Sequence, residues 1–166
     1  MRNWLISGLA AILIALPAYG KDFSKDSNEI LLARMLYGET RNCSTAEKVD
    51  VAYTAVNRAG DNKKWNGTTL KGAILCKSKK GVHQYSCFNE NDPNLAKLSN
   101  PNLSDKTWQE CLQVSGDVLS GRYRAQNKEY THYYAKGSRK PGWAGSKEMI
   151  DLPEPSDYKH DFFKEK

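Results

Sequence analysis

The chain has 166 residues, 39% hydrophobic and 27% charged, with a formal net charge of +6. No internal repeat, low-complexity block or second apolar stretch of spanning length follows the first residues, which excludes repeat arrays and polytopic membrane proteins and leaves one domain with a real core. The positive balance favours a polyanionic partner, but the basic residues are scattered and only Lys77, Lys79 and Lys80 cluster before the tail, so nucleic acid is not expected to bind.

In chain order, Arg2, the apolar run Trp4 to Leu16 and the small-x-small ending Pro17-Ala18-Tyr19-Gly20 predict a signal peptide over residues 1–20, with Ala18 as an alternative cleavage point. The run is shorter than the ~20 residues a spanning helix needs, so no stable membrane span is expected once the leader is removed. Residues 21–166 then form the mature domain, exported to the periplasm, cell envelope or extracellular space. Lys21 to Lys25 read as a flexible lead-in. A first helix opens with Asp26 as cap and Glu29 reaching back, carries Ile30, Leu31, Met35 and Leu36 on its apolar face, and ends at Gly38 beside Glu39.

Ser44 and Glu47 stand in capping-box positions for a second helix, with Val49, Ala52, Tyr53 and Val56 at helical spacing and an end near Arg58. Gly60 to Gly67 is turn-forming, Thr69 to Leu75 is weakly helical, and Gly81 to Pro93 has no periodicity, which favours a functional surface loop. Ser104 opens a third helix with Trp108, Cys111, Leu112, Ser115, Val118 and Leu119 on one face, closed by Gly121; this is the expected central packing helix. Tyr130 to Ala135 is the best strand, and Gly137, Pro141, Gly142 and Gly145 mark a turn-rich excursion around Trp143. The outline is α+β, mostly helical, with a small β element and long loops.

Cys43, Cys76, Cys87 and Cys111 all lie in the exported part, where an even count predicts two disulfides by any of three pairings. No two cysteines sit at the short spacing of metal knuckles, so neither a metal nor another cofactor is expected.

Glu39 is the residue with the clearest chemical potential. Glycosidic cleavage needs a carboxylic acid kept protonated to serve the leaving oxygen. The negative end of the first helix dipole and partial burial both favour that form at Glu39. From the local sequence alone, an ordinary helix-terminal glutamate, paired with Arg41 or Arg34, is the favoured reading.

The segments LARMLYGETRN, VDVAYTAVNRA, HQYSCFNE, THYYAKG and PGWA stand in this order from Leu32 onward, with His160-Asp161-Phe162-Phe163 near the end. Together they resemble the SleB-type cell wall hydrolases, spore-cortex-lytic and related enzymes, over essentially the whole mature domain. Tyr85 replaces the phenylalanine usual in the family's QFS loop, and the four cysteines are not a general family feature.

The resemblance implies a lysozyme-like single domain, peptidoglycan as substrate and Glu39 as catalytic acid. It further implies that Gln84, Tyr85 and Ser86 line the glycan cleft, with His132, Tyr133 and Tyr134 opposite. Trp143 either stacks on a sugar or folds back on the core. Asn57 and Arg58 are expected behind the site, capping the second helix and tying it to the Glu39 loop. A monomer is expected.

A second carboxylate is not obvious. Glu47 is absorbed by the cap, and Glu90 and Asp92 remain open, so lytic transglycosis by a lone acid is preferred to hydrolysis. The rivals are a zinc amidase built from His83, His132 and His160, and a noncatalytic wall-binding module.

Overall fold

The computed structural model describes residues 22–61 and 68–166; the signal peptide expected over 1–20 and most of the turn between Gly60 and Gly67 lie outside them. The described residues form five α-helices: α1 (Asn28–Glu39), α2 (Thr45–Gly60), α3 (Leu70–Leu75), α4 (Leu95–Ser99) and α5 (Lys106–Leu119). They also form one antiparallel sheet of β1 (His132–Ala135), β2 (Met149–Leu152) and β3 (His160–Glu165). The mostly helical α+β class is as expected. No described helix is long and apolar enough to cross a membrane.

The centre of the molecule is α1, not α5 as its apolar face suggested. Every residue from Leu31 to Tyr37 is buried, because α1 is packed by α5, α3 and α4 and by the 3-10 turn Ser86–Phe88. A helix covered all round shows no one-sided stripe, so its sequence looks less like a core element than an amphipathic helix does. Trp108 of α5 is fully buried against it and meets the Tyr37 ring edge-on at 5.6 Å.

Burial of α1 extends to Arg34, whose Nε donates to Asp26 Oδ2 at 2.8 Å and whose Nη1 donates to the carbonyls of Leu98 and Ser99 at the end of α4. Asp26 is therefore the partner of a buried cation, and the cap of α1 is Ser27, whose Oγ accepts from the Ile30 N–H at 3.2 Å. The cap of α5 likewise falls one residue later than read, on Asp105. Gly121, at φ +75°, supplies the left-handed turn that closes α5.

In the sheet, the C-terminal segment β3 is the middle strand, ordered β1-β3-β2. Phe162 faces Tyr133 on one side and Leu152 on the other, and is fully buried. Neither β2 nor β3 was legible as a strand: each is short and flanked by charged residues, and pairing rather than local preference selects them.

No disulfide joins the four cysteines among the described residues: Cys87 packs against α1, Cys111 is buried in α5, and Cys43 and Cys76 are half-exposed elsewhere. Cys43 faces His160 rather than another cysteine, and burial followed by the nearby Glu47 carboxylate pushes its thiol up to about 12.

Candidate active site

Glu39 is the last residue of α1 and is half-buried. Gly38 lies inside the final turn rather than ending it. A Cβ there would fall 2.5 Å from Cys87 Cβ and 2.8 Å from its sulfur, so the missing side chain is what lets the Ser86–Phe88 turn close on the helix. That approach brings the Cys87 backbone N–H to Glu39 Oε1 at 2.9 Å, and Ser86 Oγ donates to the same oxygen at 3.3 Å. Oε2 accepts no hydrogen bond from the described residues. Neither Arg34 nor Arg41 pairs with Glu39: Arg34 is taken by Asp26, and Arg41 lies over the Tyr37 ring at 4.7 Å.

A cleft of about 700 Å³ runs from Glu39 to the sheet. Gln84, Tyr85 and Ser86 line it beside Glu39, and His132, Tyr133, Tyr134 and Trp143 line it on the sheet side. The residues singled out around the acid therefore meet in one cavity, Arg58 included, and of them only Asn57 lies outside its lining.

Their individual environments differ. The Tyr133 hydroxyl is buried without a hydrogen-bond partner, and burial, then the Glu39 carboxylate, hold the phenol well above its ordinary range. It is thus a protonated donor with nothing to donate to. The Tyr85 hydroxyl is committed to Thr54 Oγ1 at 3.0 Å, so this residue presents its ring and not its hydroxyl. Trp143 sits in the 3-10 turn Gly142–Gly145 and folds onto His132, Phe163 and Tyr134, with centroids at 5.2, 5.5 and 6.1 Å. It packs on the sheet and lines the cleft at once.

Asn57 and Arg58 direct side-chain hydrogen bonds to the segment that leads into β1 rather than to the Glu39 loop. Asn57 Nδ2 donates to the Tyr130 carbonyl at 2.7 Å and Arg58 Nε to the Thr131 carbonyl at 2.6 Å, so the end of α2 holds the entry to β1. Arg58 also lies over the Tyr85 ring at 5.0 Å, and its Nη1 is buried with no hydrogen bond.

Two cleft carboxylates were not read from the sequence, Glu148 and Glu165, and His160, read there only in the tail motif and the amidase alternative, lines the same cleft. The carboxylates are brought in by the turn before β2 and the end of β3. Only recognition of the C-terminal hairpin as sheet would have revealed them. Glu90 and Asp92, the carboxylates left open, line a separate depression with His83. His83 is accordingly apart from His132 and His160, which the amidase alternative would need together. Glu47, assigned to a capping box, does receive the Ser44 cap through its N–H at 3.2 Å. Its carboxylate instead accepts from the Lys159 N–H at 2.7 Å and meets His160 Nδ1 at 2.8 Å.

A family model described as cell wall hydrolase matches residues 43–155, beginning just after Glu39 and spanning α2 to β2. No curated protein and no solved structure matches the chain.

Proposed function

Because the chain belongs to the cell wall hydrolase family, it is an enzyme that acts on peptidoglycan, and we propose that it cleaves the glycan strand as a lytic transglycosylase with Glu39 as acid and base. The observation that carries this reading is the one-sided environment of the Glu39 carboxylate. Oε1 accepts two donors, Cys87 N–H and Ser86 Oγ, so in the protonated acid the hydrogen resides on Oε2, the oxygen without a partner.

Oε2–H protonates the glycosidic oxygen as its bond to the muramic anomeric carbon breaks. The resulting carboxylate is stabilised by the same two donors. It then takes the proton of the muramic C6 hydroxyl while that oxygen bonds the anomeric carbon, which regenerates the acid and leaves an anhydromuramyl end. Gln84 and Tyr133 line the cleft and would hold polar groups of the sugar through their amide and hydroxyl, and the Trp143 ring would offer an apolar face to a pyranose. An expected signal peptide over residues 1–20 suits a substrate outside the cytoplasm.

Glu148 and Glu165 support a second reading, hydrolysis with one of them as the second carboxylate, since both line the same cleft. Mass spectrometry of the released muropeptides separates the two. Transglycosis yields anhydro ends, whereas reducing ends carrying added water overturn it in favour of hydrolysis. Under transglycosis, Glu148→Gln and Glu165→Gln each lower the rate by less than about tenfold, because neither takes part in the proton transfers.

Tyr133→Phe provides a milder test of the cleft. Loss of one hydrogen bond to the bound sugar lowers turnover by roughly tenfold, corresponding to about 1.4 kcal/mol. The thermal midpoint is unchanged or slightly raised, because the native hydroxyl has no partner to lose. A parallel loss of stability would assign Tyr133 to the core instead.

A further inference from the structure

Cys43, Glu47 and His160 come from the turn before α2, the first turn of α2 and the start of β3, and each offers one ligand atom within 4.8 Å of the others. His160 Nδ1 is 2.8 Å from Glu47 Oε1 and 3.9 Å from Cys43 Sγ. Both neighbours thus approach the same ring nitrogen. In a nucleophilic relay the carboxylate and the thiol would occupy opposite nitrogens of the imidazole, so this arrangement does not activate the cysteine. Nδ1 carries at most one proton and cannot serve both groups.

A second observation points the same way. The Glu47 side chain is 1% exposed, and its Oε2 is buried with no hydrogen-bond partner. Buried carboxylate oxygens are ordinarily satisfied, so an oxygen left open beside an imidazole and a thiol marks a place for a cation. The two lysines nearby are engaged elsewhere: Lys48 Nζ binds the Cys43 carbonyl at 2.7 Å and Glu110 Oε2 at 2.9 Å, and Lys159 Nζ binds the Asn42 carbonyl.

We propose that Cys43 Sγ, the Glu47 carboxylate and His160 Nδ1 form a site for one divalent ion of zinc-like preference. Sulfur, imidazole nitrogen and carboxylate oxygen are the donor types zinc takes, and three protein ligands leave a fourth position for water or another donor. The charges balance, since a thiolate and a carboxylate together offset a divalent cation. On binding, the Cys43 thiol releases its proton to solvent, the proton held between His160 Nδ1 and Glu47 Oε1 leaves that contact so that His160 is neutral with its proton on Nε2, and bonds form from sulfur, nitrogen and oxygen to the metal with no change of oxidation state.

The ligands are already held near one another. The Cys43 N–H donates to the Thr40 carbonyl at 2.9 Å, Glu47 is fixed through its N–H on Ser44, and Lys159 N–H holds Glu47 Oε1 at 2.7 Å. Cys43 is half-exposed, which gives the ion a route from solvent. Bound there, the metal clips the start of α2 to β3. The His160 ring meets Tyr133 edge-on at 5.0 Å, so the clip also braces one wall of the cleft.

The test is titration of the purified, demetallated chain with cobalt(II), then zinc. Wild type takes up one cobalt ion with a thiolate-to-cobalt charge-transfer band, and zinc displaces it. Cys43→Ser and Glu47→Gln weaken binding by at least about 10- to 100-fold, the range known for disturbing even outer-shell partners, and Cys43→Ser loses the band. Cys76→Ser, which alters the other half-exposed thiol, retains the band and the stoichiometry. Zinc raises the thermal midpoint of wild type and leaves that of Cys43→Ser unmoved. Absence of the band in folded wild-type protein, its persistence in Cys43→Ser or its loss in Cys76→Ser overturns the site. Should Glu47→Gln not fold, wild type and the near-isosteric Cys43→Ser decide the matter alone.

Discussion

Glu39→Gln lowers the rate of glycan cleavage by about 100- to 10,000-fold, the usual contribution of a positioned general acid, and leaves the thermal midpoint nearly unchanged. Glutamine keeps an oxygen that accepts the Cys87 N–H and Ser86 Oγ, so the contact between α1 and the Ser86–Phe88 turn survives. What disappears is the proton on the second oxygen and the carboxylate that recovers it. Release of soluble muropeptides gives the rate, and thermal unfolding checks the fold. A variant solubilising peptidoglycan as fast as wild type would remove Glu39 from the mechanism. An inert wild type that sediments with wall material would instead favour a binding module.

Gly38→Ala has the next largest effect, and acts through geometry alone. The added Cβ would stand 2.5 Å from Cys87 Cβ and 3.0 Å from Leu98 Cδ2, distances that demand movement of the turn itself. Overpacking of this kind costs about 1–3 kcal/mol of stability. The displaced turn also carries the Cys87 N–H away from Glu39, and a shift near 1 Å in a catalytic group costs on the order of 100-fold in rate. Cys87→Gly removes the two closest atoms struck by the new methyl group and leaves only the flexible end of Leu98, so the double variant Gly38→Ala/Cys87→Gly is less impaired than the two single effects predict together. Strict additivity of the two changes would mean that the helix and the turn are not coupled at this contact.

The parts of the site legible in the sequence are those held by contiguous chain. YGE at the end of an apolar run, the aperiodic HQYS loop and THYY are local patterns, and all of them meet in the cleft. Glu148 and Glu165 escaped notice, and the place of His160 in the cleft was not foreseen, because they enter through β2 and β3, strands selected by pairing with each other and with β1. The assignment of α5 as the central helix failed for a related reason. A one-sided stripe is visible in one dimension, while the complete enclosure of α1 depends on elements distant in the chain.

Glu47 shows the limit most sharply. Its position three residues after Ser44 fits a capping box, and the backbone half of that motif forms. The carboxylate turns away to His160 because folding sets β3 against the start of α2, which no spacing within Ser44 to Glu47 encodes.

For this chain, sequence alone determined the helical α+β class, the family motifs and Glu39 at a helix end, since these follow from short-range periodicity and local residue identity. Tertiary structure alone decided that Gly38 admits the Cys87 turn, that one Glu39 oxygen receives both donors, and that Cys43, Glu47 and His160 converge. Those features depend on approach distances between segments far apart in the chain, fixed by packing around the buried α1.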